Sequence, residues 1–186
     1  MEHRDPPPRS TVLRTPRLVL RPSDVGDAKR AFEIVSDWEV ARNLAAVTHP
    51  LVLSDQQAWF ESHPDAWADG RAYRFAVLLR GEMIGLADLD GVSAAKAELG
   101  YWFAKAWWGN GYATEAARAL VGFAVDALRL DRLTAGHAAD NLSSGRVLSK
   151  LGFRCTGETE TYSRSRRETI AVLTYVWDRE SPRQPL

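Results

Sequence analysis

The segment of the chain best suited to chemistry is a turn that holds two glycines, Gly109 and Gly111, directly before the most regular amphipathic pattern in the sequence. The first N–H groups of a helix have no intrahelical partner, and the helix dipole places partial positive charge on them. Because glycine has no Cβ, a ligand can approach such a turn closely, and the arrangement suits a pyrophosphate. Turns of this kind also serve packing alone, so phosphate binding and a purely structural turn are both open. The spacing matches neither a dinucleotide-binding fingerprint nor a P-loop.

The cysteine and histidine residues predict neither a metal centre nor a covalent intermediate. Cys155 is the only cysteine, so it cannot form an internal disulfide or supply a cysteine-based zinc cluster. It falls in a predicted strand without a recognisable base partner, which predicts a buried, inert thiol rather than a ping-pong nucleophile. His137 lies at the end of another predicted strand, where a structural histidine is favoured over a catalytic base. The four histidines have no metal-ligand spacing: His3, His49, His63 and His137.

Length and composition describe an ordinary globular domain. The chain has 186 residues, of which 45% are hydrophobic and 26% charged, enough for a core of normal size. Lys plus Arg and Asp plus Glu number 24 each, so no whole-molecule field favours nucleic acid or an anionic membrane. No apolar run approaches the roughly 18 residues of a membrane span, and the first residues lack the apolar core of a secretion signal. These features predict a cytoplasmic protein that binds neither nucleic acid nor membranes.

Changes in hydrophobic periodicity divide the chain into strands and helices. Alternating apolar residues predict strands, and three- and four-residue spacing predicts helices. Ser54 and Gln57 have the spacing of a capping box, so one helix is predicted over residues 55–68. The predicted strands cover 12–21, 73–79, 83–89, 97–103, 133–138, 153–158 and 169–177, and the other predicted helices cover 24–35, 39–44, 112–129 and 141–152.

This order of elements predicts a mixed α/β fold built on one sheet, with no internal repeat or linker. Three consecutive prolines, Pro6 to Pro8, predict a disordered arm over residues 1–10. The domain itself is expected over residues 11–180, followed by a C-terminal tail over residues 181–186.

The hexapeptide Trp108-Gly109-Asn110-Gly111-Tyr112-Ala113 resembles motif A of the GCN5-related N-acetyltransferases (GNAT), with Gly111 and Ala113 at its small-residue positions. Trp108 stands where the superfamily motif has Arg or Gln. An aromatic residue at this position is common in the RimJ/RimL-like subgroup, which the chain therefore resembles. This subgroup includes enzymes that acetylate ribosomal-protein N-termini. Four further blocks resemble this subgroup in order and spacing, so that the resemblance covers roughly residues 12–178. They are Thr15 to Pro22, Glu98 to Phe103, Gly111 to Ala116 and Asn141 to Phe153.

The resemblance implies a fold and a cosubstrate. The fold is a single central, mostly antiparallel twisted sheet flanked by helices, in which a splayed strand pair forms an acyl-CoA cleft. Acetyl-CoA would lay its pyrophosphate on the N–H groups of residues 109–113, and a backbone N–H near Trp102 or Phe103 would polarise its thioester. No metal is implied. The cofactor-binding residues expected from the resemblance are Trp102, Phe103, Ala104, Trp108, Gly109, Asn110, Gly111, Tyr112, Ala113, Asn141 and Ser144.

Three residues are expected at the chemistry. Glu98 resembles the carboxylate that some family members use as general base, although a solvent-facing strand glutamate and a water chain are alternatives. Asn141 and Ser144 resemble the Asn-x-x-Ser pair that the subgroup places beside the thioester, and simple N-capping would also explain both. The usual leaving-group tyrosine is missing, because residues 145–151 contain none. Tyr112 and Tyr162 are substitutes only by residue type.

The acceptor is left open by the sequence. A protein N-terminus or a small-molecule amine fits the same scaffold, since fold does not fix substrate, and a homodimer is compatible with the resemblance. Arg164, Arg166 and Arg167 form a basic cluster whose default interpretation is a solvated loop. The competing functions are a non-catalytic acyl-CoA-binding sensor or assembly module and, less favoured, an interaction domain in which the glycine turn is structural.

Overall fold

Eight strands and six α-helices are present in the computed structural model, which describes residues 5–179. The strands are β1 (Leu13–Arg14), β2 (Leu18–Pro22), β3 (Tyr73–Leu79), β4 (Glu82–Asp90), β5 (Ala97–Phe103), β6 (Arg132–Ala138), β7 (Arg154–Ser163) and β8 (Glu168–Asp178). The helices are α1 (Ala28–Val35), α2 (Trp38–Ala41), α3 (Leu53–Glu61), α4 (His63–Ala68), α5 (Tyr112–Asp126) and α6 (Leu142–Lys150).

All eight strands belong to one sheet, in the order β1-β2-β3-β4-β5-β6-β8-β7. Every neighbouring pair is antiparallel except β5 and β6, which run parallel and are connected through α5. This is the mixed α/β sheet flanked by helices that the sequence predicts, and the predicted fold class is confirmed.

The two faces of the sheet are covered by different helices. On one face α5 buries its small and aromatic residues, among them Ala117 and Phe123, against Phe75 of β3 and Leu89 of β4. On the other face, Ala31 of α1 and Phe60 of α3 belong to the cluster that covers Ala76 and Leu86. Within residues 5–179, no helix has the length and apolar content needed to cross a membrane.

The single helix predicted over residues 55–68 is two helices. Val52 is the N-cap of α3 and makes no side-chain capping bond, so Ser54 and Gln57 do not form a capping box. The chain breaks at Ser62, and Pro64 lies in the first turn of α4, where its missing N–H costs nothing. The predicted first strand is likewise divided around Pro16, into β1 and β2.

The N-terminal arm departs from the expectation of disorder in its described half. Residues 1–4 lie outside the described residues, but the Trp67 indole N–H donates to the Pro7 carbonyl at 2.7 Å, and Arg9 donates to the Ser23 carbonyl at 2.7 Å. A proline-rich stretch offers carbonyl groups with few N–H donors of its own, so these donors anchor it to the domain. The predicted tail over residues 181–186 also lies outside the described residues.

Candidate active site

The two parallel strands at the centre of the sheet separate after a short contact. β5 and β6 are in register at Ala97 with Leu133 and at Glu98 with Thr134, and they share no further register pair within the described chain. A cavity of about 1110 Å³ opens in the resulting gap. The predicted site residues that line it are Glu98, Trp102, Phe103, Trp108, Gly109, Gly111, Tyr112, Ala113, Asn141 and Ser144, whereas Ala104 and Asn110 do not.

The turn before α5 presents unpaired backbone donors to this cavity. Gly111 is the N-cap of α5, with φ of 79° and no side-chain cap, and Gly109 also has φ of 79°. The first intrahelical bond runs from the Glu115 N–H to the Gly111 carbonyl at 3.0 Å, so the N–H groups of residues 112–114 have no intrahelical acceptor. The left-handed backbone and open donors have the geometry that suits a pyrophosphate, and phosphate binding by this turn stays a prediction.

Arg17 braces this turn from the β1–β2 connection. Its guanidinium donates to the Asn110 carbonyl at 3.0 Å and lies 4.5 Å from the centre of the Tyr112 ring. It also pairs with Glu115 at 2.6 Å, and the Thr15 hydroxyl donates to the same carboxylate at 2.6 Å. Although burial opposes it, these hydrogen bonds lower the pKa of Glu115. The sequence singled out Thr15 and Arg17 only as part of a family block, not as supports of the turn.

Strand β5 directs alternate N–H groups into the gap. The Ala104 N–H donates to the Ile84 carbonyl of β4 at 2.9 Å. Because donors alternate along an antiparallel ladder, the N–H of Phe103 points away from β4 and toward the gap, whereas that of Trp102 points to β4. The Trp108 indole donates to the Phe103 carbonyl at 2.8 Å and holds this end of the strand. Of the two predicted donors, the geometry therefore favours Phe103 over Trp102.

The start of α6 forms the opposite wall of the gap. Asn141 caps the helix through its side-chain oxygen, which accepts from the Ser144 N–H at 3.2 Å, and its amide donates to the Ser144 hydroxyl at 3.1 Å. The Tyr101 hydroxyl reaches across from β5 and donates to the Ser144 carbonyl at 3.3 Å. Burial raises the pKa of Tyr101 to about 12, so it is protonated at neutral pH. Tyr101 was not predicted as a site residue.

Three carboxylates lie on the α1–α3 face of the sheet beside the gap. Asp88 pairs in register with Gly100, and Asp90 pairs with Glu98. Cross-strand partners share a face, so the three side chains lie together, and all three line the cavity. Burial raises the pKa of Asp88 to about 7, helped by the charges of Asp90 and Glu98 and opposed by Arg74. The sequence missed Asp88, although an acid inside the apolar run of β4 was the available signal.

Two predictions about reactive side chains have different outcomes. Cys155 is exposed rather than buried, because β7 is the edge strand of the sheet and no element covers this position. His137 is buried, with its Nδ1 atom 2.9 Å from the Ala138 carbonyl oxygen and its Nε2 atom 3.2 Å from the Tyr175 hydroxyl. Both ring nitrogens thus have partners, in keeping with the structural role that the sequence favours.

In the basic cluster before β8, Arg164 and Arg167 are exposed, as expected of a solvated loop, whereas Arg166 is not. The Arg166 side chain is only 10% exposed, donates to both carboxylate oxygens of Asp140 at 2.8 Å, and donates to the Arg42 carbonyl at 2.7 Å. Arg42 pairs with the same carboxylate at 2.8 Å. These bonds lower the pKa of Asp140. The contacts of Arg42, Asp140 and Arg166 thus connect three segments at one edge of the cavity: the end of α2, the residue before Asn141 and the β7–β8 turn.

Comparison with known proteins identifies the family. The profile described as Acetyltransferase (GNAT) domain matches residues 17–154, most of the chain. The chain belongs to the GNAT acetyltransferase family. It is therefore an acetyltransferase, as the sequence resemblance predicts. The p20 protein of Bacillus licheniformis, named as an N-acetyltransferase, is 28% identical over 168 residues, which cover 88% of this chain and 94% of p20.

Solved structures of this family share the fold. Mycobacterium smegmatis RimJ, solved with a CoA disulfide, superposes with a TM-score of 0.80 at 24% identity, covering 94% of this chain and 88% of RimJ. A Salmonella typhimurium acetyltransferase that modifies the N-terminal serine of ribosomal protein L7/L12 has a TM-score of 0.80 at 17% identity, covering 90% of this chain and 99% of its own. At this identity the likeness supports the RimJ/RimL-like fold of the GNAT chain.

Proposed function

We propose that this GNAT protein is an acetyl-CoA-dependent N-acetyltransferase that moves an acetyl group to a primary amine by direct attack in a ternary complex. The observation that carries the proposal is the gap between β5 and β6. A phosphate-binding turn opens to it at one end, and a group of carboxylates lies beside it on the α1–α3 face of the sheet. One cavity can therefore hold an anionic donor and a cationic acceptor together.

The donor end relies on backbone atoms. The open N–H groups of residues 109–113 would hold the pyrophosphate, and the pantetheine would run beside β5 in the gap left by β6. Bound acetyl-CoA supplies an activated thioester. The N–H of Phe103 is placed to donate to its carbonyl oxygen as negative charge develops there. The Mycobacterium smegmatis RimJ structure and a RimL structure, both of which contain CoA, support this use of the cleft.

The α6 end can supply a proton to the departing sulfur. The Ser144 oxygen accepts a hydrogen bond from the Asn141 amide, so its own O–H is free to donate elsewhere. Capping and catalysis do not compete here, because capping uses the side-chain oxygen of Asn141 and the N–H of Ser144. We assign Ser144 as the donor to the thiolate and Asn141 as the residue that orients it. Tyr101, held at the Ser144 carbonyl, positions the same turn.

The acceptor belongs to the class of primary amines. A protein N-terminus is one candidate, since the Salmonella relative acts on an N-terminal serine, and a small-molecule amine is the other. We place the enzyme in the cytoplasm, and we retain the homodimer as a proposal. The alternative function is an acyl-CoA-binding sensor or assembly module that lacks turnover.

The test is the release of free thiol from acetyl-CoA with a panel of small amines and peptide N-termini. We expect amine-dependent turnover by the wild type. Ser144→Ala should lower kcat by about 10²-fold, because one proton-transfer group is lost. Ser149→Ala, later in α6, is the matched control, since its exposed hydroxyl donates to the Gly145 carbonyl and does not line this cavity.

Thermal stability with acetyl-CoA, succinyl-CoA and adenine nucleotides distinguishes the alternative. Binding to the native state raises Tm by an amount that grows with the logarithm of ligand concentration over Kd. A shift with acetyl-CoA but no thiol release across the whole panel would favour the sensor. No shift with any CoA thioester at millimolar concentration would contradict both functions.

A further inference from the structure

Asp88 occupies a better position for chemistry than the other carboxylates beside the gap. Glu98 is exposed and lies in the last residue pair that joins β5 to β6, where the strands are still together. Asp88 pairs with Gly100, two residues further along β5, where β6 has already moved away. Its carboxyl group is therefore nearer to the open part of the cavity than that of Glu98.

The sheet provides a hollow for this carboxyl group. A Cβ on Gly100 would overlap the Oδ1 atom of Asp88, so the side chain lies over the glycine, where any other residue would displace it. Asp88 is consequently held at one place on the cavity floor, partly buried and facing the α1–α3 side.

More negative than positive groups surround Asp88. The charged groups that act on Asp88 are Arg74 on β3, Asp90 on its own strand and Glu98 on β5, and Asp55 of α3 also lines the cavity. Arg74 is engaged by Asp90, with which it forms an ion pair, and it also lies over the Trp59 ring at 5.4 Å. Among the described residues neither Asp88 nor Glu98 forms an ion pair with an arginine, and Asp88 lies in a region of net negative charge that would attract an ammonium group.

We propose that Asp88, and not Glu98, accepts the proton from the acceptor ammonium. This inference rests on the proposed function. A recessed carboxylate among like charges is a stronger base for an ammonium group than a solvent-exposed carboxylate is. Glu98 acts on Asp88 through its charge and is a positioning residue in this scheme.

The protons and bonds balance as follows. Asp88 takes one proton from R–NH₃⁺, and the freed nitrogen lone pair attacks the thioester carbonyl carbon. A C–N bond forms, the C–S bond then breaks, and the sulfur leaves as a thiolate. The nitrogen loses its second proton, the thiolate gains one through Ser144, and Asp88 returns its proton to water. The products are the amide, CoA thiol and one released proton.

The test is the pH dependence of kcat/KM for one amine in the wild type, Asp88→Asn and the matched carboxylate control Glu98→Gln. Burial and the neighbouring negative charges raise the Asp88 pKa to about 7. We therefore expect the wild-type kcat/KM to fall as the pH drops below about 7, which gives the profile an acidic limb. In Asp88→Asn we expect that limb to disappear and kcat/KM at pH 7.5 to fall by about 10²-fold. In Glu98→Gln we expect the limb to persist at lower pH, because one charge that raises the pKa is removed.

Acetyl-CoA titration and circular dichroism establish that each variant is folded and binds the donor. If folded Asp88→Asn keeps the wild-type limb and rate, or if Glu98→Gln alone abolishes the limb, the assignment of Asp88 is overturned while the acetyltransferase proposal stands. If the wild type binds acetyl-CoA but acetylates none of the amines, the proposed function fails and the role of Asp88 fails with it.

Discussion

The proposed donor and acceptor ends of the cleft are built from different parts of the chain. The donor end uses backbone N–H groups of the β5–α5 turn, held by two left-handed glycines and braced by Arg17. The acceptor end uses side chains on β3, β4 and β5, where Asp88, Asp90 and Arg74 lie beside the gap. Backbone recognition suits a donor common to a whole family, whereas side-chain recognition can change by single substitutions and suits an acceptor that varies.

Gly100→Ala should have the largest effect, and it should lower turnover at the acceptor end without changing acetyl-CoA binding at the donor end. The added Cβ would displace the Asp88 carboxyl group, so we expect kcat/KM for the amine to fall by about 10²-fold. Acetyl-CoA affinity should stay within about twofold, because the donor turn is untouched. The matched control is Gly122→Ala in α5, where a Cβ meets nothing within 4 Å. Equal loss of donor affinity and turnover would show that the two ends are not separate.

The next largest effect is a dependence of folding stability on pH that comes from His63, on the acceptor side of the sheet. His63 lies under the α3–α4 corner, 2.7 Å from the Ser23 hydroxyl, and burial lowers its pKa to about 3, with the charges of Arg74 and Arg9 contributing. Between pH 6.5 and 3 the unfolded chain therefore binds a proton that the folded chain does not, and stability falls as the pH falls. From pH 6.5 to 5 this amounts to about 2 kcal/mol.

Asp88 opposes this trend in the wild type. Its pKa is raised, so the folded chain binds the extra proton from about pH 4 to 7, and its contribution to stability is lost as the pH rises through 7. The His63 effect is best measured in Asp88→Asn, by urea unfolding at several pH values. Adding His63→Gln to that variant should flatten the slope. An unchanged slope would mean that His63 is not the group that titrates.

The smallest effect is a gain in stability when the acceptor carboxylate is removed. At pH 8 the folded chain must keep the recessed Asp88 charged among Asp90 and Glu98. We expect Asp88→Asn to be more stable than the wild type by about 1 kcal/mol, or roughly 2–4 °C in Tm. Asp55→Asn, at the exposed cavity rim, should leave Tm unchanged. A lower Tm for Asp88→Asn would argue that the carboxylate has a structural rather than a functional reason to be there.

The sequence predicted the donor end better than the acceptor end, for a physical reason. The glycine turn, the α5 helix and the Asn141–Ser144 pair are local features, and each carries its signal in adjacent residues. Asp88 acquires its position only through register with Gly100 on another strand, which no local pattern encodes. Its neighbour Glu98 was predicted instead because it belongs to a recognisable block.

The fold shows the same division. Periodicity correctly placed the strands around the gap and the long helix, because alternation and helical spacing are properties of contiguous residues. The capping box at Ser54 was wrong because α3 begins at Leu53 with Val52 as its N-cap, and the single helix was wrong because α3 ends before Pro64. Arg166 was misjudged because its partner, Asp140, lies on a separate loop. A contact between distant segments thus decided the outcome for Arg166.

The most direct test of the account is calorimetric titration of acetyl-CoA into the wild type, Gly111→Val, Asp88→Asn and Gly81→Val. Gly81→Val is the matched control, since Gly81 also has positive φ but does not line the cavity. We predict at least about tenfold weaker binding for Gly111→Val, or about 1.4 kcal/mol, and near wild-type affinity for the other two. Equal affinity of Gly111→Val and the wild type, or no binding to the wild type, would contradict a backbone-built donor end.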